Sequence, residues 1–313
     1  MNNMDTIVWS REIEAYDLSS CLIHSHGELV YQYEKLKQAS SHLMPINSCT
    51  KSVLSALICI AMEQGLVSPP DTCITAYFPQ LLHDQDELKR SITLEHLLTL
   101  TAGFQWNEFG GINSFPTMTQ TSDWVQFVLE RPMSDKPGTR MVYNSGVSQL
   151  LAAILVQATG MELTQFAERN LFTPLGIEHY EWKVDPQDIH TGGFGLQLSA
   201  QDMLKFGLLY LHKGLWNHQQ LISQAIVKHS TRSAIAVDPP ERGFYGWHWW
   251  SDTTSDINYY YARGFGGQFI VIVPTLATVV VLTRKQRKKV LSPLDFFREY
   301  IVPLLLTHQA TTK

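Results

Sequence analysis

Between Val53 and Met62 only Ser55 is polar. Read as a helix over Ser48 to Gln64, this stretch is apolar on every face, and such a helix has to be buried all round. Gly65 follows it where a C-terminal glycine commonly ends a helix. A chain arranged around a buried helix needs enough apolar material to surround it. With 313 residues, 44% apolar and 17% charged, this one has it, and the length suggests roughly two domains. The same apolar content and a net charge of only −5 exclude a mainly disordered chain.

The surrounding elements can be read in turn. Residues 20–34 form two short strands around His26-Gly27, with Val30, Tyr31 and Tyr33 suited to strands. From about 68 to 230 helices and loops alternate. Thr93 to Leu98 reads as a short capped helix and Pro137-Gly138 as a turn. Leu150, Leu151, Ile154, Leu155 and Ala158 recur at helical spacing before Gly160, and a further helix fits Ala200 to Leu211. Strands return at Asn258–Ala262, Gln268–Val273 and Thr278–Thr283, and a last helix covers about Pro293 to Leu306. Strands at both ends around a helical middle predict one α/β domain with a helical domain inserted. The expected division within one unit over 1–313 is about 15–65 and 231–313 for the α/β part and about 66–230 for the helical part.

Charge and composition narrow the function classes. Twenty-four basic against 29 acidic residues give no attractive field for phosphates, so no nucleic-acid partner is expected. Cys21, Cys49, Cys59 and Cys73 show no CxxC spacing and no disulfide framework. His24 and His26, at strand spacing on one face, lack the HExxH or Cys/His company of a metal site and read as structural. The N-terminal residues show no basic start followed by an apolar block, and the apolar stretch Phe269 to Thr283 is broken by Pro274 and too short for a membrane span. A cytoplasmic enzyme is the expectation; the oligomeric state is open.

Three short motifs carry chemistry. Ser48-Cys49-Thr50-Lys51 opens the buried helix and puts Ser48 and Lys51 on one face, a turn apart. An amine led into a poorly solvated interior loses affinity for its proton and can act as a base. The alternative is a capping Ser48 and a Lys51 turned to water. Tyr143-Asn144-Ser145 sits between a Pro-Gly turn and a helix, where a phenol near a neutral lysine could pass protons; the alternative is a packing tyrosine with a capping Ser145. Gly264-Phe265-Gly266-Gly267-Gln268 leads into a strand. Its glycines would let a substrate approach the backbone, and the Gln268 N–H could pair with that of Ser48 as an oxyanion hole. Otherwise it is an ordinary hairpin turn.

Taken in order, Ser-x-x-Lys, the Tyr-x-Ser about a hundred residues on and the Gly-rich strand motif resemble the serine β-lactamase-like superfamily. That group includes penicillin-binding D,D-peptidases, class C β-lactamases, esterases and 6-aminohexanoate-dimer hydrolases. The stretches Ile92–Gly103, Pro137-Gly138-Thr139 and Gly192-Gly193-Phe194-Gly195-Leu196 resemble it too. The resemblance implies that Ser48 is the acylated nucleophile, that Lys51 accepts its proton and that Tyr143 passes a proton to the leaving group. Ser145 would stand at the third position of the Tyr-x-Asn motif and help orient substrate. Phe265-Gly266-Gly267 would replace the Lys-Thr-Gly triplet, and Gln268 would supply the second oxyanion N–H. The resemblance also implies an α/β (α+β) fold, an antiparallel sheet flanked by helices with an inserted mostly helical domain; the substrate would be a small ester or amide, with no metal or organic cofactor. Phe265 cannot bind a carboxylate as the usual cation does, although Arg263, two residues away, could restore one. This departure and Ser145 resemble the esterase and amide-oligomer hydrolase branches. The alternatives are a β-lactam-reactive D,D-peptidase or β-lactamase, and a binding protein that kept the fold without turnover.

Other features have plainer readings. Tyr245 to Trp250, rich in aromatics, reads as core, with an aromatic wall for an apolar acyl group as the alternative; Trp106 and Trp124 could contribute to such a wall. No GxSxG elbow is present to support a Ser-His-Asp triad, and nothing compels a role for His248. Cys49 reads as a small packing residue. Arg284 to Lys289, five basic residues in six, reads as a solvated loop.

Overall fold

The computed structural model describes residues 9, 11–36, 41–285 and 291–311. Its main feature is a sheet of eight antiparallel strands: β1 (Ser20–Ser25), β2 (Glu28–Glu34), β3 (Ile235–Ala236), β4 (Phe244–Tyr245), β5 (Trp250–Thr254), β6 (Ile257–Gly264), β7 (Gln268–Val273) and β8 (Thr278–Thr283). Their order across the sheet is β2-β1-β8-β7-β6-β5-β4-β3. The mixed α/β class with a large antiparallel sheet is therefore as expected. β1 lies beside β8, with Ser20 opposite Thr283, so the first and last strands of the sheet pair with each other, second and third from one edge.

β7 and β8 are buried at every residue. A strand buried on both faces needs helices on both, which is why QFIVIV and TVVVLT run apolar without alternation. One face is covered by α3 (Ala200–Leu211), which packs on β1, β7 and β8. The close approach falls at Gly207, where a Cβ would stand 2.6 Å from Val279 Cγ1 and 2.8 Å from Ile270 Cγ2. The other face carries the C-terminal helical segment. It begins at Pro293 and continues through wider turns at Phe297–Ile301 into Val302–Thr311, and Phe297 sets its ring 5.0 Å from that of Tyr259.

The buried helix anticipated from the sequence is α1 (Thr50–Glu63), closed by Gly65 at φ 70°. It packs against α2 (Ser145–Thr159), which ends at left-handed Gly160. The entry to α1 differs from expectation. The chain first makes a tight turn at Asn47–Cys49, and no side chain caps α1. Asn47 takes a left-handed φ of 49°, a conformation that asparagine tolerates better than most residues. The segment before it is tied down by a small sheet. Met44–Pro45 pairs with Leu196–Leu198, and Ile46 N donates to Leu196 O at 3.1 Å.

His24 and His26 do not share a strand face. His26 lies in the β1–β2 turn at φ 50°, and the register shifts at Ile23/His24. Of the basic run, 286–290 lie outside the described residues, and among those described no single helix is long and apolar enough to cross a membrane.

Gly207→Val should lower the thermal midpoint by several degrees, because the added methyls enter space already held by Val279 and Ile270; overpacking of this kind costs about 1–3 kcal/mol. A midpoint equal to the parent would mean that α3 does not rest on the sheet at this point.

Candidate active site

The start of α1, the start of α2 and the loop at Gly193 converge on one amine. Lys51 is 1% exposed. Its Nζ donates to Ser145 Oγ at 2.9 Å and to Gly193 O at 3.0 Å, and lies 3.5 Å from Ser48 Oγ. The Tyr143 ring centre is 4.8 Å away. Burial pulls the Lys51 pKa down from 10.5 to about 8, against the opposing pull of the Glu108 carboxylate. A lysine pointing to water is thus excluded.

Local folding leaves both serine hydroxyls available. Ser48 caps nothing: in its turn it is Thr50 Oγ1 that donates to Asn47 O, at 2.6 Å. At α2 the cap is Asn144, whose Oδ1 accepts from Gly146 N at 2.7 Å and Val147 N at 3.2 Å. The capping role once open to Ser145 is taken by its neighbour. The buried Ser145 hydroxyl instead accepts from Lys51 and donates to Glu108 Oε1. Its one proton is therefore committed away from the cleft.

Tyr143 stacks on Trp250 at 5.9 Å between ring centres. Burial, reinforced by Glu108, pushes its phenol pKa well up, while the nearby Ser48 side chain pulls the other way. The resting phenol is protonated. Arg263 lies over the other end of this aromatic stack, 5.4 Å from the Trp250 ring, and pairs with Glu241 at 2.6 Å. Its cation is present but already engaged. Phe265 is 59% exposed, and its ring meets that of Phe109 at 6.3 Å.

The hairpin bearing Gly266, Gly267 and Gln268 is fixed to the Ser48 turn. Asn47 Nδ2 donates to Phe265 O at 2.6 Å, and Cys49 Sγ to Gln268 O at 3.4 Å. Cys49 is a buried thiol, as a packing residue should be. From the far side Arg284 Nε donates to Gly266 O at 2.5 Å, and Gln268 Nε2 returns a bond to Arg284 O at 2.8 Å. The first residue of the basic run is thus a brace for the hairpin rather than part of a solvated loop.

Glu108, Gly193 and Asn144 escaped the sequence reading of roles. Glu108 Oε2 accepts from Trp106 Nε1 at 2.8 Å and from Ser145 N at 2.9 Å. Its partner serine is 37 residues on, so no local pattern could have flagged it. Trp247 and Trp249 are buried core residues, and Trp250 of that segment stacks on Tyr143. Trp124 stacks with Phe194 at 5.9 Å. His248 is a buried packing residue: its Nε2 is 3.1 Å from Ser148 Oγ, and burial lowers its pKa to about 3. Among the described residues no cluster of His, Cys, Asp and Glu could hold a metal.

Gly267 has φ 106°, and an added Cβ would run into Arg284 Nε. Gly267→Ala should cost at least about tenfold in turnover, with cooperative unfolding retained, because strain there displaces the hairpin from Ser48. Parental rates would show that the hairpin does not serve the site.

The chain and its fold have relatives. An Escherichia coli (strain K12) protein named beta-lactamase is 25% identical over 185 residues, covering 52% of this chain and 46% of the relative. The Aspergillus terreus monacolin J acid methylbutanoyltransferase is 26% identical over 157 residues, covering 44% of this chain and 37% of the relative. The matches thus span less than half the length of either relative. A structure from Bacillus anthracis named as a candidate 6-aminohexanoate-dimer hydrolase has the same fold, with a TM-score of 0.82 at 18% identity over 96% of this chain and 82% of that one. The family model described as Beta-lactamase matches residues 22–295, and the chain belongs to that family of serine hydrolase type.

Proposed function

We propose that this chain hydrolyses a small ester or amide through an acyl-enzyme on Ser48. The observation that carries the reading is the buried Lys51 amine, 3.5 Å from the Ser48 hydroxyl and with a pKa drawn down to about 8. A lysine in water keeps its proton at neutral pH. This one gives it up often enough to serve as a base.

The chemistry follows from the two perturbed groups. Neutral Lys51 takes the Ser48 proton as Oγ bonds to the substrate carbonyl carbon. The carbonyl becomes an oxyanion, held by the backbone N–H groups of Ser48 and Gln268. Because the Tyr143 pKa is raised, the phenol acts as a proton donor. It protonates the departing oxygen or nitrogen as the C–O or C–N bond breaks, and recovers a proton from Lys51. Water then adds to the acyl-enzyme by the reverse path and frees Ser48.

Two regions flank the reacting atoms. Beside Tyr143 lies a cleft of about 320 Å³ whose lining mixes Arg140, Asp238 and Glu241 with Met141, Val237 and Trp250, which suits a leaving group with both polar and apolar parts. On the other side stand the exposed Phe109 and Phe265, which suit an apolar acyl group. Phe265 in place of a cation, and Arg263 held by Glu241, favour an ester or amide over a β-lactam.

Intact mass after brief exposure to a short activated ester should show one acyl adduct, absent in Ser48→Ala. Stable labelling by a fluorescent penicillin without ester turnover would overturn the ester reading, and no adduct with any acyl donor would favour a binding protein. Because the base works neutral, kcat/KM should rise about tenfold per pH unit up to a midpoint near 8 and then level. A flat profile between pH 6 and about 9 would remove Lys51 as the base. Tyr143→Phe should cost about a hundredfold or more; a loss below about threefold would make the phenol structural.

A further inference from the structure

The oxygens around Lys51 carry directional information. Besides its own carbon, the nitrogen has three positions, each an N–H or the lone pair. Gly193 O, at 3.0 Å, can only accept, so it takes one N–H. Ser145 Oγ, at 2.9 Å, could accept or donate. Its only proton goes to Glu108 Oε1, so it takes a second N–H. The third position faces Ser48 Oγ. In the neutral amine that third position is the lone pair.

We propose that Glu108 is a positioning residue for the base: by drawing the Ser145 proton to itself it makes that hydroxyl an acceptor toward Lys51, and so aims the lone pair of the neutral amine at Ser48. The proposal rests on the reading of Lys51 as the base. Three donors converge on the carboxylate, namely the Ser145 hydroxyl on Oε1 and the Ser145 and Trp106 N–H groups on Oε2. An amide cannot accept on both sides. In Glu108→Gln the side-chain oxygen can satisfy the two N–H groups, which turns its NH2 toward Ser145. The Ser145 proton then swings to the Lys51 lone pair and takes it from Ser48.

The charge has a separate consequence. The groups facing Lys51 are Glu108 from the loop after Trp106, Tyr143 before α2, Cys49 from its own turn and His248 from the segment before β5. Burial keeps the thiol and phenol protonated and the imidazole unprotonated, so Glu108 is the negative charge among them. It helps Lys51 keep its proton. Removing it should therefore produce more neutral amine, wrongly aimed.

The test is kcat/KM against pH for p-nitrophenyl acetate in the parent, Glu108→Gln, Ser145→Ala and the double variant, each checked for cooperative unfolding. Glu108→Gln should lower the plateau by about 10- to 100-fold and move the midpoint to lower pH. Ser145→Ala should cost less. The double variant should return to the Ser145→Ala level, because no hydroxyl remains to capture the lone pair. A parental plateau in Glu108→Gln, an unmoved midpoint, or a double variant whose losses multiply would each overturn the proposal. Should Glu108→Gln not fold, Glu108→Asp keeps the charge but withdraws it from Ser145: the plateau should then fall with little change in midpoint, and a parental plateau would overturn the idea. Ser48→Ala and Lys51→Ala run alongside test the base reading itself. Full activity in either ends that reading, whereas inactivity in both with a parental Glu108→Gln ends this inference alone.

Discussion

One amine removed from water sets the terms for the rest of the site. An unpaired ammonium in a protein interior costs several kcal/mol, and the cost falls only if oxygens surround it or the proton leaves. Both outcomes are built in at Lys51. Gly193 O and Ser145 Oγ accept from it, Glu108 supplies a charge one hydroxyl away, and the lowered pKa leaves the neutral form within reach. The apolar helix that follows is what makes the burial unavoidable. Lys51 occupies the first turn of α1, where solvent is already excluded.

The same constraint explains why the site is assembled from distant segments. A helix start can present a serine and a lysine on one face, but it cannot supply the acceptors that face the amine. These come from the loop at Gly193, the start of α2 and the loop of Glu108. The small sheet joining Met44–Pro45 to Leu196–Leu198 holds the Gly193 segment and the Ser48 turn in one register. Arg284 and Asn47 grip the Gly266-Gly267 hairpin from opposite sides. The exposed Phe109 and Phe265 meet at the same hairpin, and a cleft of mixed lining opens beside Tyr143.

Much of this was legible in the residues. The period of α2, the span of α3, the strands β7 and β8 and the buried α1 follow from apolar spacing with Gly stops, because each depends on local pattern. The pairing of Ser48 with Lys51 was legible for the same reason. The tight turn before α1 was not, since it depends on Asn47 reaching Phe265 across the fold. Ser145 was visible as a motif position, yet its role turns on Asn144 taking the cap and Glu108 taking the proton. Arg284 reads as one charge in a basic run until the hairpin it braces is seen. In each case the missing information is a long-range contact to a polar group, which leaves no periodic trace in a sequence.

The most direct measurement is the protonation of Lys51 itself. A carbon-detected NMR titration following lysine Cε resonances, with the Lys51 signal assigned by its loss in Lys51→Arg, reads that quantity without any substrate. The account predicts a titration midpoint near 8, well apart from the exposed lysines. A Lys51 signal titrating with them, above about 10, would mean that the amine keeps its charge in the folded protein and cannot be the group that deprotonates Ser48.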